Sequence, residues 1–441
     1  MTTRVEPLFN SGIGIVIDNK VNDPASGDAI IDLLKQIDEA GIPRITYTAI
    51  PPETNIRRFS SAGFILLDWE LWEKPNDADM LAGATTGNGE IERLAIAENI
   101  AFLKSLKNIC FVPVFVFSHL APAGIKRYLT DAGLLQTGDD SNFILICQKN
   151  ELTRSEANPR PLVDTVNKWV CSTPAVYVLT KWREAVICSQ NRLFWDLYGK
   201  DPTWPRVLWE TYKNEGDDPE HGLADILIRN MRARLQPLAL QPDFVVPPAA
   251  QQPDRATTQA VLETSMVVPN GSLPSHQYGC GDIFKGSRQR YWINIRCDCD
   301  CLARDDRSPD DVQLYLLEAR IMKDADFVKA FDKEKNGLIQ TNATSHILFP
   351  LEGNALRIGF GHLCQVKVGD LTKKNIARIG RLTAPYITQL RQRFALHLQR
   401  EGLPRIPNAA VPDITPASPV SVVSAPPQAT APAQTPSAGD R

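Results

Sequence analysis

Between Gly12 and about Asn150, short unbroken apolar runs alternate with longer stretches whose apolar positions recur every three to four residues. The runs are IGIVID, RITYTAI, FILLD, VPVFVFS and NFILIC. A continuous apolar run suits a strand covered by helices on both faces, as in a parallel sheet. In DAIIDLLKQIDEAG, residues Ile30, Leu33, Leu34 and Ile37 share one helical stripe, and Leu94, Ile96, Ile100 and Leu103 do so in EIERLAIAENIAFLKSLKN. This alternation predicts βαβ units closing into an α/β fold, a five-stranded doubly wound parallel sheet over residues 10–155. WEKPNDADMLAGATTGNGE, after the third run, reads as a surface excursion.

The pattern then changes. Residues 156–236 read as a helical extension rich in tryptophan (Trp169, Trp182, Trp195, Trp204, Trp209), with the indoles as core or interface bulk. Residues 237–270 are Pro-rich and read as a linker. Residues 271–406 carry RYWINIRC, VQLYLLEARI, SHILFPL and ALRIGFG, then APYITQLRQRFALHLQREG, predicting a second, β-rich α+β domain closed by a helix. The longer stretch RIGRLTAPYITQLRQRFALHLQREG reads as basic along a helix, with a solvated face. The Pro/Ala-rich tail 407–441 lacks the apolar content to order itself.

Composition narrows the classes. A net charge of -3 supplies no field for nucleic acid or an anionic membrane, so neither is expected as a partner. The N-terminus has no secretory pattern and no apolar run reaches membrane-spanning length, so a soluble cytoplasmic protein is expected. The nine cysteines then read as reduced thiols.

In an open parallel sheet, chemistry gathers at the carboxyl ends of the strands. Asp18 and Asn19 end the first, Asp68 the third, Ser118 the fourth and Lys149 the fifth. Carboxylates brought together there repel unless a hard cation joins them, which suggests Mg²⁺ on Asp18, Asn19 and Asp68. Ser118 and Lys149 would offer a hydroxyl and an ammonium to the oxygens of a phosphoryl group, with Asp68 as the nucleophile that accepts it.

IVIDN, FILLDWEL, PVFVFSH and FILICQKN, in this order and strand context, resemble the receiver domain of two-component signalling, a flavodoxin-like fold. That resemblance implies Asp68 as phosphoacceptor, Asp18 and Asn19 in place of the acidic pair, Ser118 as switch hydroxyl and Lys149 as phosphate-sensing lysine. The chain departs from the pattern at Asn19, which removes one charge, at His119, where a small residue is usual, and at Cys147 and Asn150. Two states therefore stand open, a phosphorylated receiver and a pseudo-receiver that keeps the fold as a docking surface. GIGIVIDNKVND, FILLDWELW, DPTWPRVLWETY and ILIRNMRARL more closely resemble the response receiver family of bacterial conflict and anti-phage systems. This implies a non-enzymatic relay of stress or infection, with a sensor kinase or an effector encoded nearby as partner.

In the second domain, GCGDIFKGSRQRYWINIRCDCDCLARDD places three cysteines at alternate positions. On a strand, Cys297, Cys299 and Cys301 would line one face and could hold a soft metal with Cys280, His362 or Cys364. The spacing is not that of a zinc turn, so buried free thiols are the favoured reading and zinc is not expected. An enzymatic alternative makes this domain a hydrolase or toxin using Cys299 and Asp300, regulated by the first domain.

Overall fold

The computed structural model describes residues 12–400 apart from 24–28, 73–87, 136–141, 215–217, 236–237, 247–252, 276, 304–307, 333–337 and 340–342, together with Pro407 and Ala410. Most of the loop expected as a surface excursion, and the tail beyond Ala410, lie outside the described residues.

Five strands, β1 (Ile13–Ile17), β2 (Arg44–Tyr47), β3 (Ala62–Asp68), β4 (Val114–Ser118) and β5 (Ile144–Gln148), form one sheet in the order β2-β1-β3-β4-β5. Every neighbouring pair is parallel, which makes this part of the chain an α/β unit compatible with a flavodoxin-like fold. Strand position explains the apolar runs. The central strands β3 and β4 are buried almost throughout, whereas β2 at one edge leaves Ile45 exposed.

Alternate side chains feed two separate cores, as the two-residue period of a strand requires. Val16, Phe64, Leu66, Phe115 and Phe117 pack on one face against Ile30, Leu33 and Ile37 of helix α1 (Ala29–Glu39). Ile15, Ile17, Ile65, Leu67, Val114 and Val116 pack on the other against helices α2 (Asn88–Ile109) and α3 (Pro122–Asp131). Leu162, Val166 and Trp169 of α4 (Pro161–Ser172) join the first core, and Trp169 meets Phe115 edge-on at 5.4 Å. The sheet's covering layer thus draws its last helix from the segment read as an extension.

Helices α5 (Pro174–Tyr198), α6 (Trp204–Asn214) and α7 (Pro219–Leu235) follow. Of their tryptophans, Trp204 is half-buried against Phe194, and the other three are not core bulk. Trp182, Trp195 and Trp209 are exposed, Trp195 at 71%, in contrast to the buried Trp169.

Helix α8 (Arg255–Met266), started by Asp254 accepting from Thr257 N–H, runs into a second sheet. Its strands are β6 (Val267–Pro269), β7 (Asp282–Lys285), β8 (Arg290–Asn294), β9 (Gln313–Ile321), β10 (Ser345–Leu351), β11 (Asn354–Lys367) and β12 (Ala377–Leu382). They run antiparallel in the order β10-β11-β9-β8-β7-β12-β6. Strand β6 lies within the stretch read as a linker. Helix α9 (Tyr386–Gln399) packs Ile387, Leu390 and Phe394 on one face of this sheet.

Two sequence expectations change here. Arg378 to Leu382, read as the start of a basic helix, lie in strand β12, and the helix begins only at Tyr386. The Cys297, Cys299 and Cys301 segment is not a strand. Strand β8 stops at Asn294, whose Oδ1 accepts from Arg296 N–H and Tyr315 N–H, and Asp298–Cys301 closes a short helical turn. Cys301 is consequently buried, Cys297 half-buried and Cys299 exposed, so the three thiols do not line one face.

Candidate functional site at the carboxyl edge of the parallel sheet

Each strand end is fixed by backbone bonds that carry the ladder one residue further. Asp18 N–H donates to Tyr47 O at 3.0 Å and Trp69 N–H to Phe117 O at 3.0 Å. These bonds place the side chains that follow β1 and end β3 over the same edge. Asp18, Asp68 and Lys149 are 0%, 1% and 2% exposed, so all three are removed from bulk water.

The three groups meet. Lys149 Nζ donates to Asp68 Oδ2 at 3.0 Å and to Asp18 Oδ2 at 3.3 Å. The ammonium also lies 5.1 Å from the centre of the Phe117 ring. The second carboxylate oxygens are held by the backbone, Asp18 Oδ1 by Lys20 N–H at 2.7 Å and Asp68 Oδ1 by Glu70 N–H at 3.0 Å. Ser118 is fully buried beside this cluster, but it bonds Glu70. Its Oγ donates to Glu70 Oε2 at 2.9 Å, and His119 N–H donates to the same oxygen at 2.7 Å.

Sequence reasoning missed Glu70. Its signal was present in DWEL, an acid two residues beyond the strand-end acid, yet nothing in the pattern says that the chain folds it back into the hollow. Asn99 steadies that turn by donating from Nδ2 to Trp69 O at 2.8 Å.

The electrostatics follow from burial. Asp68 is pushed up to about 7, first by loss of water and further by the Asp18 charge, with Lys149 pulling against both. Asp18 and Asp68 set two buried carboxyl groups at one strand-end edge, both bonded to the ammonium of Lys149. Two carboxylates brought this close suit a hard cation. Asn19 Oδ1 is buried with no hydrogen-bond partner among the described residues, an orphaned oxygen acceptor next to Asp18. The donor chemistry therefore fits Mg²⁺, which binds through one or two carboxylates and keeps several waters. Among the described residues, no three His, Cys, Asp or Glu side chains group as a cage made wholly by the protein would require.

The second sheet has its own buried polar centre. Asp282 is fully buried between Arg381, whose Nε donates to Oδ1 at 2.6 Å, and Arg378 at 3.5 Å. Beside it, Asn294 Nδ2 donates to Cys301 Sγ at 3.3 Å, and Arg391 Nη2 to Cys297 Sγ at 2.9 Å. Burial pushes the Cys301 thiol up to about 12 and the Cys280 thiol up to about 11. Both are poor nucleophiles near neutral pH.

No protein-family model and no characterised protein matches this chain in sequence. Among the described residues, no helix is long and apolar enough to cross a membrane.

Proposed function

We propose that the first unit is a receiver-type phosphoacceptor module and that the chain relays a signal through it. The observation that carries this reading is the junction of Asp18, Asp68 and Lys149, brought from three strands to one buried hollow. A carboxylate oxygen of Asp68 attacks phosphorus, and the bond from phosphorus to the donor's leaving oxygen breaks, the electron pair leaving with that oxygen. Asp68 becomes an acyl phosphate, and with acetyl phosphate as donor the product is acetate. Asp18 and Asn19, with Asp68, would hold Mg²⁺, which supplies charge neutralisation for the transferred group. Lys149 favours the ionised form of Asp68 before attack and donates to a phosphoryl oxygen afterwards.

In this reading the donor is a sensor kinase or a small acyl phosphate, the output partner is an effector encoded nearby, and the setting is bacterial stress or anti-phage defence. Support for the setting comes from the family resemblance of the motifs. A docking role without phosphoryl transfer is the second reading. It is favoured by Lys149 already bonding both carboxylates in the absence of a phosphoryl group.

Incubation of the full chain with acetyl phosphate and Mg²⁺, followed by intact mass, separates the two. One added phosphate that is absent from Asp68→Asn supports transfer. An unmodified wild-type chain supports docking alone.

A further inference from the structure

The donors at the end of β4 already hold an anion supplied by the chain. Ser118 Oγ–H and His119 N–H converge on one oxygen, Glu70 Oε2, at 2.9 and 2.7 Å. Leu120 N–H donates to Ser118 Oγ at 3.0 Å, which leaves the hydroxyl proton directed at Glu70. Ser118 is fully buried and Glu70 is 7% exposed, so water competes little for these bonds. A hydroxyl and an amide aimed at one charged oxygen form the donor pair that a tetrahedral oxyanion needs. The same turn ties the two acids together, because Glu70 N–H donates to Asp68 Oδ1 at 3.0 Å.

We propose that Glu70 is an internal competitor for the oxyanion site, a specificity-determining residue whose carboxylate must leave Ser118 and His119 before a phosphate oxygen can take its place. Two anions cannot share one donor pair in a buried hollow, since like charges at contact repel strongly there. With Glu70 seated, the Ser118 loop is held in its anion-engaged position before any phosphoryl group arrives. The identity of the incoming ligand rests on the phosphoacceptor reading; the competition itself rests on the Glu70 geometry.

Inorganic phosphate, titrated into the full chain with Mg²⁺ present and followed by the His119 amide resonance, is the direct probe. Glu70→Gln keeps the size of the side chain and removes its charge, and Glu70→Ala empties the position. Both variants are expected to bind phosphate at least about tenfold more tightly than wild type. Phosphate affinity unchanged or weakened in both folded variants overturns the proposal. Acetyl phosphate labelling of the same samples distinguishes its failure from that of the phosphoacceptor reading. Tighter phosphate binding with no labelled chain keeps the competitor and removes phosphoryl transfer; equal affinities with Asp68 labelled in all three chains does the reverse.

Discussion

Asp68 lies under opposing influences, since burial and Asp18 favour its neutral form while Lys149 favours the charged one, and the outcome is a carboxyl raised to about 7. Only the ionised form attacks phosphorus, so labelling by acetyl phosphate is expected to speed up as pH rises through the titration of Asp68, which bound Mg²⁺ would move downward. His346 on β10 is shifted the other way. Burial, helped by the nearby Arg393 charge, lowers it to about 4, below its ordinary 6.5. At this site the unfolded chain therefore binds more protons than the folded one between those values, so the contribution of His346 to stability is complete above 6.5 and is lost as pH falls through about 4. In His346→Phe, the fall in melting temperature between pH 7 and pH 4.5 should be smaller than in wild type. An identical fall would show that this imidazole is not the group responsible. Asp18, Asp68 and Lys149 were legible from the sequence because a strand end needs only an apolar run and its last polar residue. Glu70 was not, because its place depends on the turn after β3, where the side chain folds back to bond Ser118.

Among the elements, the apolar runs of the parallel sheet were readable because both faces of its central strands are covered, and their shortness and β-branched content favour a strand over a buried helix. The second sheet was harder. Strand β12, Ala377–Leu382, carries Arg378 and Arg381, and these charges looked like a solvated helix face. In the structure they converge on the buried Asp282, a partner about a hundred residues earlier that no local pattern shows. The alternate cysteines misled for a related reason, since a two-residue period means one face only while the strand continues, and β8 ends at Asn294. Gly281, just before β7, bonds the strands on both sides of it, β8 and β12. Its N–H donates to Asn294 O at 2.8 Å, its carbonyl accepts from Leu382 N–H at 2.8 Å, and its φ is 90°. A side chain is strained at that φ, and an added Cβ would also press on the Leu382 carbonyl. Gly281→Ala should cost on the order of 1–3 kcal/mol in urea unfolding; an unchanged midpoint would mean that the junction relaxes freely.

Across the molecule, the two larger sheets are built differently, one parallel and one antiparallel. The antiparallel sheet buries its charges in a structural centre around Asp282, with thiols held protonated by burial. The parallel sheet gathers its charges at the carboxyl ends of its strands, where chain topology brings Lys149 to buried acids 81 and 131 residues earlier. The phosphoacceptor reading proposed above rests on that junction, and the titration of Asp68 reports it. Carboxyl NMR on wild type and Lys149→Met measures it directly. An Asp68 that titrates near 7 in wild type and clearly higher once the ammonium is removed is the predicted result. An Asp68 that titrates near the ordinary 3.8 and does not respond to Lys149→Met would contradict the shared hollow and the phosphoacceptor reading built on it.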